Sequence, residues 1–139
     1  FIAAKELSKK IVLKKDVDFI IVDFHGEITS EKMAIGHYLD GLVTCVIGTH
    51  THVPTADTRV LEKGTAYQTD AGMCGDYNSV IGMNKDNSLN RFMKKDSVKH
   101  FPAKGDATLS GVIVDCDLQT GLASKIKSYI YGDLLNKNF

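Results

Sequence analysis

Leu42-Val43-Thr44-Cys45-Val46-Ile47-Gly48-Thr49-His50-Thr51-His52 is an apolar run that ends on two histidines one residue apart. Val43, Val46 and Ile47 read as a buried strand. Residues at i and i+2 of an extended chain point the same way, so His50 and His52 are expected to face one site. Upstream, the apolar run Phe19-Ile20-Ile21-Val22 ends in Asp23-Phe24-His25-Gly26-Glu27. Four apolar residues without alternation suggest a strand covered on both faces. Between the runs, Thr29 or Ser30 can cap a helix, with Glu31 early in its first turn. Met33, Ala34 and Tyr38 or Leu39 would line its buried side, and Asp40-Gly41 would end it. The order is a βαβ unit. Two adjacent strands that each deliver histidine to one sheet edge are a way to build a metal site.

On either side of this unit the pattern changes. From Phe1 to about Lys10, apolar positions recur at helical spacing, and Asp16-Val17-Asp18 breaks the pattern. No side chain caps that first helix, and the opening at Phe1 reads as the middle of something longer. Downstream, Thr58 to Glu62, a Lys63-Gly64 turn and Thr65 to Thr69 read as a hairpin. Asp70-Ala71-Gly72-Met73-Cys74-Gly75 carries glycines suited to tight backbone near a site. Tyr77 to Asn87 reads as loop. A short helix follows around Ser88 to Lys95, with Asn87 or Ser88 as cap and Lys94 and Lys95 near its end. Ala107 to Asp117, a Gln119-Thr120-Gly121 turn and Leu122 to Tyr131 form a longer hairpin, with Gly111 to Val114 as its most buried part. Asn136 to Phe139 reads as a frayed tail. One unit spanning 1–139 is expected.

Composition narrows the function. The chain has 139 residues, 17 basic against 17 acidic, and 43% apolar content. Balanced charge gives no support for bulk nucleic-acid binding, whereas a phosphate-bearing ligand held through metal stays open. Cys45, Cys74 and Cys116 are odd in number and widely spaced. That pattern suits reduced thiols in a cytoplasmic protein rather than a disulfide framework or zinc ribbon. No apolar stretch approaches the roughly 20 residues of a membrane span.

Nucleophilic catalysis finds little support, because no Gly-x-Ser-x-Gly elbow or cysteine nucleophile motif occurs. A phosphate-binding Walker loop is also absent. His37 and His100 read as ordinary surface histidines. Asp23, Glu27 and Asp57 flank the other three, and each could orient an imidazole. Imidazole with oxygen donors suits zinc, iron, manganese or nickel. Three histidines could form a single zinc site, or half of a two-metal site suited to phosphoester hydrolysis.

Two longer motifs carry a resemblance. Val22-Asp23-Phe24-His25-Gly26-Glu27-Ile28-Thr29-Ser30-Glu31-Lys32 is similar to V-D-F-H-A-E-A-T-S-E-K. Gly48-Thr49-His50-Thr51-His52-Val53-Pro54-Thr55-Ala56-Asp57 is similar to G-T-H-T-H-V-Q-T-A-D. Both motifs belong to the bacterial YmdB-like metallophosphoesterases, a calcineurin-like branch that includes 2′,3′-cyclic-nucleotide phosphodiesterases. The similarity continues through Thr69 to Met73, Ser79 to Met83, Arg91-Phe92 and the closing hairpin. The departures, Gly26, Ile28 and Pro54, avoid every implied ligand position.

The resemblance implies an α/β fold, here the C-terminal half of an α-β-β-α sandwich. It implies metal ligation by His25, His50 and His52. The first two would serve one ion and His52 the other, with Fe, Mn or Zn as the pair in the complete enzyme. It also implies hydrolysis of a small phosphoester or cyclic nucleotide. The family's N-terminal motifs have no match here, including the one supplying the leaving-group acid. The chain is therefore expected to be inactive alone and to associate with the missing half or with itself. The alternative is a non-catalytic module that binds metal or nucleotide. A self-sufficient mononuclear zinc hydrolase is a third reading.

Overall fold

β1 (Ile21–His25) and β2 (Cys45–Thr49) run parallel, with His25 opposite Thr49, in a computed structural model that describes residues 1–93, 99–132, 134 and 135. α2 (Thr29–Tyr38) connects them, as expected of the βαβ unit. β4 (Ala66–Gln68) pairs parallel to the other side of β2, and β3 (Arg59–Val60) pairs antiparallel to β4. The sheet order among the described residues is β1-β2-β4-β3. β5 (Leu109–Cys116) and β6 (Ala123–Tyr131) form a separate hairpin sheet. α1 (Ile2–Lys10) opens the chain and α3 (Lys85–Phe92) precedes the hairpin.

Alternation along the central strands sorts side chains into two cores. Val46 and Tyr67 face the helices, where Ile35, Leu39, Val43 and Leu61 bury them. Cys45 and Ala66 face the hairpin and pack with Ala123. α2, the central sheet and the hairpin are thus three layers, and this mixed α/β arrangement matches the sequence reading.

Several local expectations change. β1 is not covered on both faces: its residues alternate between exposed and half-buried, and Ile21 is 74% exposed. The buried stripe of α2 is Lys32, Ile35, Gly36 and Leu39, while Met33, Ala34 and Tyr38 face outward. A lysine occupies an inward position, so an apolar count puts the stripe on the wrong side. The residue before α2 is Ile28, and neither Thr29 nor Ser30 caps the helix through its side chain. α3 begins earlier than its apolar pattern suggests, because the Asn84 side chain accepts from the Asn87 N–H and caps it. Lys94, Lys95 and the tail 136–139 lie outside the described residues. In the second hairpin Ser110 and Ala123 are buried, whereas Ile113 is exposed.

One close approach fixes where β2 delivers its histidines. A Cβ built on Gly48 would sit 1.7 Å from the Thr69 carbonyl oxygen. The Ala71 N–H donates to the Gly48 carbonyl alongside it. Backbone cannot yield as a flexible side chain can, so Gly48→Ala is expected to cost about 3 kcal/mol or more. Urea unfolding measures this, and a wild-type midpoint would refute the constraint.

Candidate metal centre

Parallel pairing of β1 and β2 sets His25 beside Thr49 at one end of the sheet. His25 Nδ1 lies 3.1 Å from Thr49 Oγ1, and that hydroxyl donates to Asp23 Oδ1 at 3.0 Å. A hydroxyl has one proton. Thr49 spends it on Asp23, so it accepts from His25 Nδ1–H, and in the neutral tautomer this assigns, His25 Nε2 is left bare. His50 Nδ1 lies 3.2 Å from that bare nitrogen and therefore carries the proton between them. The rings meet edge to face, with centroids 5.0 Å apart.

His52 does not join them. The chain leaves the extended conformation after β2, with φ of +114° at His50 and +66° at His52. The i and i+2 rule fails once the backbone stops being extended. His52 Nδ1 donates instead to the Ile81 carbonyl at 2.8 Å, so that in the neutral tautomer Nε2 carries the lone pair. Among the described residues no group of three or more His, Cys, Asp or Glu side chains is placed to hold one ion.

The flanking carboxylates divide. Asp23 acts on His25 through Thr49. Glu27 is exposed and makes no hydrogen bond or ion pair among the described residues. Asp57 reaches no imidazole: it accepts from Thr55 Oγ1, Thr69 N, Thr69 Oγ1 and Arg59. Burial pushes its carboxyl up, but the hydrogen bonds from Thr55 and Thr69 and the Arg59 contact outweigh that, and its pKa lies below 3.8.

Lys32 and Asp70 also belong to the site, although no motif singles them out. Their side chains are 1% and 0% exposed, and they form an ion pair at 3.0 Å. Lys32 Nζ also donates to the Thr49 carbonyl at 3.0 Å. Asp70 accepts from Thr51 N at 2.8 Å and Gly72 N at 3.0 Å. Burial raises the Asp70 pKa, and the backbone N–H groups with Lys32 more than reverse this, holding it low. The Lys32 signal was present in its position, in helical phase with Ile35, Gly36 and Leu39.

A family model described as YmdB-like protein matches residues 1–129. The chain belongs to this YmdB-like family. A 2′,3′-cyclic-nucleotide 2′-phosphodiesterase of Bacillus subtilis (strain 168) is 47% identical over 133 residues, covering 96% of this chain and 50% of that protein. The crystal structure of a novel phosphatase from Mycoplasma pneumoniae superposes with a TM-score of 0.83 at 43% identity, covering 93% of this chain and 45% of that one. The crystal structure of a hypothetical protein from Thermus thermophilus gives a TM-score of 0.80 at 40% identity, with 93% and 49% coverage. The chain thus spans about half the length of these relatives. No helix among its described residues is long and apolar enough to cross a membrane.

A carboxyl whose folded pKa is depressed adds stability above its unfolded pKa, and this is lost as pH falls through the folded value. For Asp57 the unfolded reference is 3.8. The melting temperature of wild type should exceed that of Asp57→Asn by a constant margin above about pH 5, and the margin should shrink below pH 3.8. A margin that grows on acidification would contradict the assignment.

Proposed function

We propose that the chain forms part of a metal-dependent phosphoester hydrolase, with small phosphodiesters, cyclic nucleotides foremost, as substrates. The carrying observation is the meeting of His25 Nε2 and His50 Nδ1 at 3.2 Å. Two imidazole nitrogens sharing a tetrahedral zinc ion, with bonds of about 2.0–2.1 Å, sit roughly 3.3 Å apart. The donor set therefore fits: one nitrogen is already bare, and the other needs only to lose the shared proton.

His25 and His50 would hold one ion, and His52 Nε2 would be a donor to a second. The fixed Nδ1 of His52, on the Ile81 carbonyl, supports that role, since an anchored far nitrogen orients a ligating ring. Asp23 keeps His25 oriented through Thr49. A bound Fe, Mn or Zn ion would supply positive charge and lower the pKa of water toward neutrality, so that hydroxide is available as a nucleophile near neutral pH. Cys45 is an unsuitable nucleophile, because burial first and Cys116 second push its thiol up to about 12.

The remaining ligands and the leaving-group acid are assigned to the half of the relatives' length that this chain does not span, completing a calcineurin-like sandwich. Features of the fold suit such a neighbour. The outer edge of β1 is unpaired among the described residues. A cleft of about 660 Å³ opens between β1, β2 and β5, lined by Phe19, Ile21, Ile47, Val112 and Val114. The alternative is a non-catalytic binding module, since among the described residues no three His, Cys, Asp or Glu side chains converge on one point.

Elemental analysis and turnover of a 2′,3′-cyclic nucleotide by the full-length protein test the reading. About two metal ions per chain are expected. His50→Ala should lose about one of them and slow hydrolysis by at least about a hundredfold, beyond the cost of losing an outer partner. Unchanged turnover in His50→Ala rules out the assignment. Metal binding without turnover of any phosphoester favours the binding module.

A further inference from the structure

We infer that the buried Lys32–Asp70 pair is a positioning device that selects which nitrogen of His50 faces His25. The dihedrals of a residue are set by the two peptide planes that flank it. Before His50, the Thr49 carbonyl accepts from Lys32 Nζ. After it, the Thr51 N–H donates to Asp70 Oδ2. The two partners of one ion pair therefore grip the two planes on either side of one residue. That residue is held at φ +114°, a value that L-residues rarely adopt.

The clamp is itself anchored. Asp70 Oδ1 accepts from Gly72 N, and its chain neighbours Thr69 and Ala71 are locked against Gly48. Lys32 sits on α2 in the buried stripe with Ile35 and Leu39. Without the grip, His50 can relax to ordinary backbone, swinging Nδ1 away from His25 Nε2. A buried ion pair is weak evidence of stabilisation, since an apolar pair of similar volume is often as stable. Its geometry here serves orientation. Lys32 and Asp70 are positioning residues: neither touches substrate or reacting atoms. The consequence for metal binding rests on the proposed function, whereas the effect on His50 does not.

The test compares the full chain with the double variant Lys32→Met/Asp70→Leu, using two readouts. Long-range ¹H–¹⁵N spectra of the metal-free proteins report imidazole tautomers. Wild type should show His50 protonated on Nδ1, and the folded variant should shift it to Nε2–H. Zn²⁺ affinity, measured by chelator competition, should fall by about 10–100-fold. Wild-type tautomer and affinity in the folded variant overturn the proposal. If the double variant does not fold, Asp70→Asn keeps the size while removing the charge. A weakened Nδ1–H signal with at least threefold weaker Zn²⁺ binding, on the order expected for a perturbed outer partner, then supports the clamp, and wild-type values for both refute it. A wild type that binds no Zn²⁺ overturns the metal reading instead, and the tautomer alone then decides the clamp.

Discussion

The rest of the site depends on a lysine ammonium held beneath the sheet's edge. Lys32 is almost wholly buried, and a buried charge is costly unless paired and hydrogen-bonded. Its partners are Asp70 and the Thr49 carbonyl, contributed from different parts of the chain. Meeting them fixes the rotation of α2 about its own axis. It also ties the end of β2 to the turn after β4. Gly36 follows from the same rotation, since a Cβ there would lie 2.5 Å from the Tyr67 ring. One polar contact thereby settles helix phase, sheet spacing and loop path together.

Much of the fold was legible because period-2 and period-3.6 patterns reflect burial directly. The βαβ unit, the Lys63-Gly64 hairpin and the closing hairpin all form in the expected order, although β1 and β2 lie two to three residues further along than their apolar runs and β3 and β4 are shorter than expected. What misled the reading was charge in an apolar place and shape outside any pattern. An apolar count could not place Lys32 inward. Nor could the run Phe19 to Val22 reveal that its strand lies at an edge, since exposure depends on what packs beside it. Asn84 is a residue type that caps helices, but the apolar positions of α3 lie further downstream and pull the expected start with them.

The three histidines were visible as residues, and the family motifs named them. Their division was not visible in their spacing. Left-handed backbone at His50 and His52 breaks the alternation, which predicted convergence where the structure separates the rings. The proton chain from Asp23 through Thr49 and His25 to His50 was equally hidden, because Thr49 enters it only through the register of β1 on β2.

That register has a kinetic side. The β5–β6 hairpin closes across a short turn and needs only local contacts, whereas the parallel pairs must wait until α2 or a comparable length of chain has been looped back. Non-local, parallel strand pairing of this kind is slow relative to local hairpin formation. The histidine cluster requires β1 seated on β2, β4 seated on the other side, and the Asp70 turn in place. It is therefore among the last features to assemble, and its formation reports completion of the whole central sheet.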